Sequence, residues 1–170
     1  MDTCPAKVAV VRVLSPLVTN VFKGECKPVA KITIDEFQKL MTEELPSAAE
    51  VGMHLQAIDH GKATMVLPFA DNMLRPGGTV SGPSMMALAD GAMYAVVLSM
   101  IGHVKLAVTT NFNINFLRKP LPGDLIAEGA IIKLGKRLAV IEVTLYSNGG
   151  EDGPGEPVAH ATGTYSIPPR

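Results

Sequence analysis

The sequence predicts an α+β protein in which an antiparallel sheet wraps around one long central helix. Three observations carry that expectation. The run PSMMALADGAMYAVVLSMIG, from Pro83 to Gly102, carries Met, Ala, Leu and Val on every face, so the helix it forms needs cover on all sides. Two short stretches with a period of two precede it and four follow it. The turns between those stretches are the tight kind that join antiparallel neighbours. One six-stranded sheet curls round only part of such a helix. The rest calls for a second sheet or a second subunit, so a homodimer or a dimer of dimers is expected.

The elements follow in order. Residues 1–31 mix apolar and basic residues without a sustained period and read as an N-terminal arm on a domain of residues 32–170. Thr33 followed by Glu36 forms a capping box, and IDEFQKLMTEEL then sets Ile34, Phe37, Leu40, Met41 and Leu45 at helical spacing. Pro46 stops that helix. MHLQAID and KATMVLPF flank His60-Gly61 as a hairpin. A loop rich in Asn, Gly and Pro, ADNMLRPGGTVSG, leads to the central helix over 83–101. Ser81 or Gly82 stands near its N-cap, Pro83 in its first turn, and Gly102 ends it. The last four strands are KLAVTTNFNINFL, DLIAEGAIIKL, RLAVIEVTLYS and PVAHATGTYSI. Lys119-Pro120-Leu121-Pro122-Gly123, Gly135-Lys136 and a polar loop from Asn148 to Gly155 separate them.

Composition narrows the function classes. Apolar residues make up 47% of the chain, enough for a core built from Val, Ile, Leu, Met and Ala in the absence of Trp. Net charge is −1 with no dominant basic segment, which argues against nucleic-acid binding through a basic face. Cys4 and Cys26 form no disulfide framework, and no Cys/His spacing suggests a metal, so a cytoplasmic protein is expected. VAVVRVL, broken by Arg12 and bounded by Pro5 and Pro16, is a poor secretory signal. The central helix is long enough to span a bilayer. Asp90 at its middle would cost about 2.5–3.5 kcal/mol on insertion scales, so no membrane span is expected.

Asp90 is the only charged residue between Pro76 and Gly102. No Lys, Arg or Glu on that helix can pair with it. A buried lone carboxylate is costly unless a site solvates or neutralises it, which makes Asp90 a candidate working group. The plainer alternative is an Asp on a narrow exposed stripe of a mostly buried helix.

The stretches GGTVSGPSMMALADGAMYAVV, LAVTTNFNINFLRKPLPGD and KLGKRLAVIEVTLYS together resemble the hotdog-fold acyl-CoA thioesterases of the phenylacetate-pathway (PaaI-like) group. The resemblance covers roughly residues 50–168 and implies hydrolysis of a thioester to free acid and coenzyme A. It implies roles residue by residue. Asp90 matches the catalytic carboxylate, acting as nucleophile or general base. Gly82 matches the turn glycine whose N–H binds the thioester carbonyl, Asn72 the loop asparagine, and Thr109 the strand hydroxyl that helps place the attacking water. The family histidine is Ser81 here, and the second glycine is Pro83, which has no N–H to give. The loop between Asn72 and the Gly-Thr pair is longer than the family's.

The chemistry fits those residue types. Thioester hydrolysis needs an activated water or nucleophile and charge stabilisation at the carbonyl oxygen. Gly82 at a helix N-terminus can supply an N–H backed by the dipole. Asp90 lies eight residues on, too far to attack a carbonyl held at its own Gly82. Two antiparallel helices across a dimer would solve this, one giving the donor and the other the carboxylate.

Coenzyme A, part of the substrate and not a resident cofactor, carries phosphates for which Lys136, Arg137, Arg118 and Arg75 are candidate partners. Each could equally be a solvated surface charge. His54, His60, His103 and His160 have no sequence-adjacent acidic partner in a recognisable catalytic arrangement and read as structural. Two alternatives stand beside the thioesterase: a non-catalytic acyl-CoA-binding protein, and a hydratase or dehydratase, which usually needs an Asp and a His on one segment.

Overall fold

The computed structural model describes residues 28–148 and 155–169. Most of the N-terminal arm, with Cys4, Cys26 and VAVVRVL, lies outside the described residues, as does most of the loop from Asn148 to Gly155.

Helix α1 spans Ile34–Glu44, and its capping box forms as expected. Thr33 Oγ1 accepts from the Glu36 N–H at 3.2 Å, and Glu36 Oε2 accepts from the Thr33 N–H at 2.8 Å. Phe37, Leu40 and Met41 bury one face of it. Pro46 ends α1 but also opens a short helix, α2 (Pro46–Glu50), which the sequence reading did not contain. Pro is preorganised for a first helical turn, and this accounts for both roles.

Strands β1 (His54–Asp59) and β2 (Lys62–Leu67) form the first hairpin. Its Gly61 adopts a positive φ of 75°, and the Gly61 N–H donates to Ser99 Oγ at 2.9 Å, tying the turn to the central helix. The following loop is more ordered than expected. It holds a single 3₁₀ turn, Asp71–Met73, and a two-residue hairpin, β3 (Leu74–Arg75) with β4 (Thr79–Val80). Helix α3 then runs Gly82–Ile101 and ends at Gly102, whose φ of 82° suits glycine and whose N–H donates to Leu98 O. Four strands complete the chain: β5 (Val108–Phe116), β6 (Leu125–Leu134), β7 (Leu138–Ser147) and β8 (Ala159–Ser166).

The six long strands form one antiparallel sheet in the order β1-β2-β6-β7-β8-β5. Its concave face holds α3, as the sequence predicted. The helix approaches closely because small residues meet there: Ala89, Ala92 and Ala95 on α3, with Ala127, Gly129, Ala159 and Ala161 on the strands. A Cβ at Gly129 would stand 2.8 Å from Val96 Cγ2, and Val96 is fully buried. Gly129→Ala is therefore expected to cost about 1–3 kcal/mol by overpacking. Chemical denaturation of the variant, with an unchanged slope, is the measurement.

Among the described residues α3 is also the one helix long and apolar enough to cross a membrane by length and composition. It is the core helix of the sheet. Cover is nevertheless incomplete. Pro83, Met86 and Ala87 are exposed, and Asp90, Gly91 and Tyr94 are half-buried, so one stripe of α3 stays open along its first three turns.

The edge strand β5 is incomplete in the same way. Interior strand β8 alternates strictly between buried and half-buried residues, whereas no residue of β5 is buried. Phe112 and Ile114 face the core yet remain half-buried, and Phe116 is 51% exposed.

Candidate active site

Asp90 sits two turns into α3, on its open stripe, where the strands β5 and β8 pass beneath. Both readings of this residue thus hold in part: it lies on the exposed stripe, and it is also engaged. Thr109 Oγ1 donates to Asp90 Oδ1 at 2.7 Å. The Tyr165 hydroxyl donates to the same Oδ1 at 2.8 Å and also lies 3.0 Å from the Asp90 backbone carbonyl. Among the described residues nothing donates to Oδ2. The carboxylate is therefore held by neutral hydroxyls on one oxygen, with the other left for a reactant. A carboxylate in that state can take a proton from water or attack a carbonyl.

Thr109 reaches Asp90 because of an irregularity in β5. Two-residue alternation counted back from Phe116, Ile114 and Phe112 would bring Thr110 to the inner face. The register shifts between Thr109 and Asn111, so Thr109 pairs with inward-facing Tyr165. Thr110 instead donates to Thr164 O at 3.0 Å.

Tyr165 escaped the sequence reading, although a signal for it exists. On β8 the inner face reads Ala159, Ala161, Gly163, Tyr165. A buried tyrosine at the end of a small-residue face needs an acceptor for its hydroxyl, and Asp90 is the charged residue the central helix offers. Tyr165 is 2% exposed, and its ring stacks on Tyr94 at 6.4 Å. Burial, and then the neighbouring Asp90 carboxylate, push its phenol far above the usual tyrosine range. Burial and Glu44 raise Tyr94 in the same direction.

A cleft of about 780 Å³ opens beside Asp90, Thr109 and Tyr165. Leu40, Met41 and Leu45 from α1 and its end, with Val51 and Met53, give it an apolar wall. Glu44 and Lys105 also line it and form an ion pair with each other.

Gly82 lies elsewhere. It lines a second hollow, of about 340 Å³, at the N-terminus of α3 with Phe116, Arg118, Lys119 and Arg75. The eight-residue separation from Asp90 amounts to about 12 Å along the axis. Ser81 is the N-cap, but its side chain does not cap the helix. Its Oγ lies 3.0 Å from Ser84 Oγ, and its N–H donates to Met73 O. With Pro83 lacking an N–H, the Gly82 N–H is left as an uncapped donor, with no partner among the described residues. Asn72 is exposed on the 3₁₀ turn beside Met73 and lines neither hollow. The contact of Met73 with Ser81 puts it at the Gly82 end, not with Asp90.

The candidate cations divide between the two ends of the sheet. Arg75 and Arg118 line the Gly82 hollow. Arg75 Nε donates to Thr79 Oγ1 at 2.9 Å, and Arg118 pairs with Glu156 at 2.5 Å. Lys136 and Arg137 form the β6–β7 turn. The register Leu138–Ser166–Val108 sets that turn at the sheet end nearest Thr109 and Tyr165, outside the cleft lining. No histidine lines either hollow. His160 meets Glu142 at 3.7 Å and His60 meets Val29 O at 3.2 Å. Among the described residues no group of three His, Cys, Asp or Glu side chains could hold a metal ion.

Comparison with known proteins places these features in context. A sequence model of the thioesterase superfamily matches residues 77–153. A candidate esterase of Thermoplasma acidophilum is 30% identical over 110 residues, which cover 65% of this chain and 79% of that protein. A crystal structure of a candidate thioesterase from Silicibacter sp. TM1040 superposes with a TM-score of 0.73 at 43% identity, covering 85% of this chain and 97% of that one. The PaaI protein of the phenylacetic acid degradation operon of E. coli shares the fold, with a TM-score of 0.67 at 22% identity over 80% of this chain and 96% of that one.

Proposed function

This chain belongs to the thioesterase superfamily, with the hotdog fold that the PaaI proteins share, and we propose that it hydrolyses an acyl-CoA thioester to the free acid and coenzyme A. The observation that carries the acyl-CoA reading is the Asp90 carboxylate, held at Oδ1 by two hydroxyls and lining a cleft with an apolar wall. The cleft suits an apolar acyl group, and cations at both ends of the sheet suit the phosphates of coenzyme A. Release of thiol from acyl-CoA esters tests the proposal, read across aryl and medium-chain acyl groups. A chain that binds such esters without releasing thiol would be the non-catalytic module instead. A hydratase, which usually sets an Asp and a His on one segment, is the less supported reading, since no histidine lines either hollow.

The site is completed by a second copy of the chain. Donor and carboxylate lie in separate hollows of one subunit, and β5 offers an open edge with its inner residues half covered. Antiparallel pairing of β5 with a copy of itself about Phe112 would set Thr109 near residue 115 of the copy. The Phe116 end of the partner, with the hollow at its α3 N-terminus, would then meet the Asp90 cleft. The partner's Gly82 N–H would bind the thioester carbonyl while Asp90 Oδ2 takes a proton from the attacking water. The carbon–sulfur bond then breaks, and the sulfur leaves with the coenzyme. Direct attack by Oδ2 through an anhydride uses the same geometry. The same copy would cover the open stripe of α3. A cytoplasmic location follows the usual setting of coenzyme A chemistry.

The β6–β7 turn gives a separate expected outcome. Lys136→Ala with Arg137→Ala should raise KM for acyl-CoA up to roughly thirtyfold, since each of the two exposed ion pairs contributes at most about 1 kcal/mol. Short thioesters without the nucleotide should be hydrolysed as before. Equal losses on both substrates would make the two cations structural.

A further inference from the structure

We infer that Tyr165 is a positioning residue for Asp90: with Thr109 it holds Oδ1 and thereby selects Oδ2 as the reacting oxygen. This inference rests on the reading of Asp90 as the catalytic carboxylate and adds a residue that the family resemblance did not supply.

The geometry is specific. One phenol hydrogen is shared between the Asp90 carboxylate, at 2.8 Å, and the Asp90 backbone carbonyl, at 3.0 Å. The side chain of Asp90 is thus fixed relative to its own helix. The phenol is itself immobile. It is 2% exposed, stacks on Tyr94, and sits across from Thr109 in the β5–β8 ladder. Two donors on one oxygen leave the second as the only one free to meet a reactant. The phenol keeps its proton throughout the working range, because burial and Asp90 both oppose its ionisation.

The other titratable groups lining the cleft are Glu44 from α1, Tyr94 from α3 and Lys105 from the segment after α3; β5 contributes only the neutral Val108 and Thr109. Glu44 and Lys105 pair with each other, and neither hydrogen-bonds Asp90.

Tyr165→Phe removes the donor and keeps the ring. For thiol release kcat should fall several-fold with KM unchanged, because Asp90 Oδ1 loses one of its two donors, and the thermal midpoint checks the fold. Adding Thr109→Val, which strips Oδ1 of both donors, should lower kcat further at the same KM. If Asp90→Asn is inactive and Tyr165→Phe keeps the parent kcat, the positioning role is wrong. If Asp90→Asn is as active as the parent, the catalytic reading fails first and the role of Tyr165 with it.

Discussion

Asp90→Asn is expected to lower kcat for thiol release by two or more orders of magnitude, the scale of losing a general base or nucleophile. The amide keeps the shape of the carboxylate and an oxygen for Thr109 Oγ1 and the Tyr165 hydroxyl to donate to. It cannot take a proton from water. The substitution also removes a half-buried charge that has no cationic partner in contact, so the fold should be unharmed or somewhat stabilised. Thiol release measured beside a thermal melt separates the two effects. Thr109→Ala should cost less, because the second hydroxyl remains on Oδ1. Hydrolysis by Asp90→Asn at the parent rate would make the carboxylate a structural residue.

Mixing two inactive variants should restore activity. Gly82→Val adds a branched side chain where even a Cβ would stand 3.3 Å from Phe116 Cζ, so the donor hollow is disturbed and activity should be lost. Asp90→Asn leaves that hollow intact. In a hybrid dimer one of the two sites takes Asp90 from one chain and Gly82 from the other, both unaltered. Random pairing on co-expression then gives about one quarter of the parent activity from two inactive parents, as two-fold symmetry requires. No recovery, with both variants folded and paired, would locate the whole site within one chain. A stable monomer in sedimentation at micromolar concentration would end the shared-site proposal outright.

The parts of this molecule legible in the sequence are those that follow from local rules. The α1 capping box, the Gly61 turn, the Gly102 stop and the period-two strands each express backbone or side-chain chemistry within a few residues. The helix apolar on all faces, flanked by six period-two stretches, announced the wrapped sheet that covers most of it. Helix α2 and the β3–β4 hairpin were missed because Pro46 and the Gly77-Gly78 pair read first as breakers. The candidate site was legible in part. Asp90 stood out by contrast with its neighbours, and Gly82, Asn72 and Thr109 came from the resemblance. Within one chain Asp90 meets Thr109, whereas Gly82 and Asn72 lie at the other end of α3. Tyr165 was missed because its partner is 75 residues away in sequence, and only the strand register brings the two together. The bulge that turns Thr109 inward is likewise a property of the paired strands.

That bulge has a counterpart at the opposite margin of the sheet. Strand β1 also breaks register, between Leu55 and Ala57, so both outermost strands are irregular. A regular exposed strand is a template on which further chains can add without limit, and a bulge interrupts the row of N–H and C=O groups that such growth requires. On β5 the interruption falls near one end and leaves Asn111 to Phe116 as a short regular run, enough for one pairing. The sheet is thereby open to a single, self-limiting match and resistant to the endless edge-to-edge addition that leads to fibres.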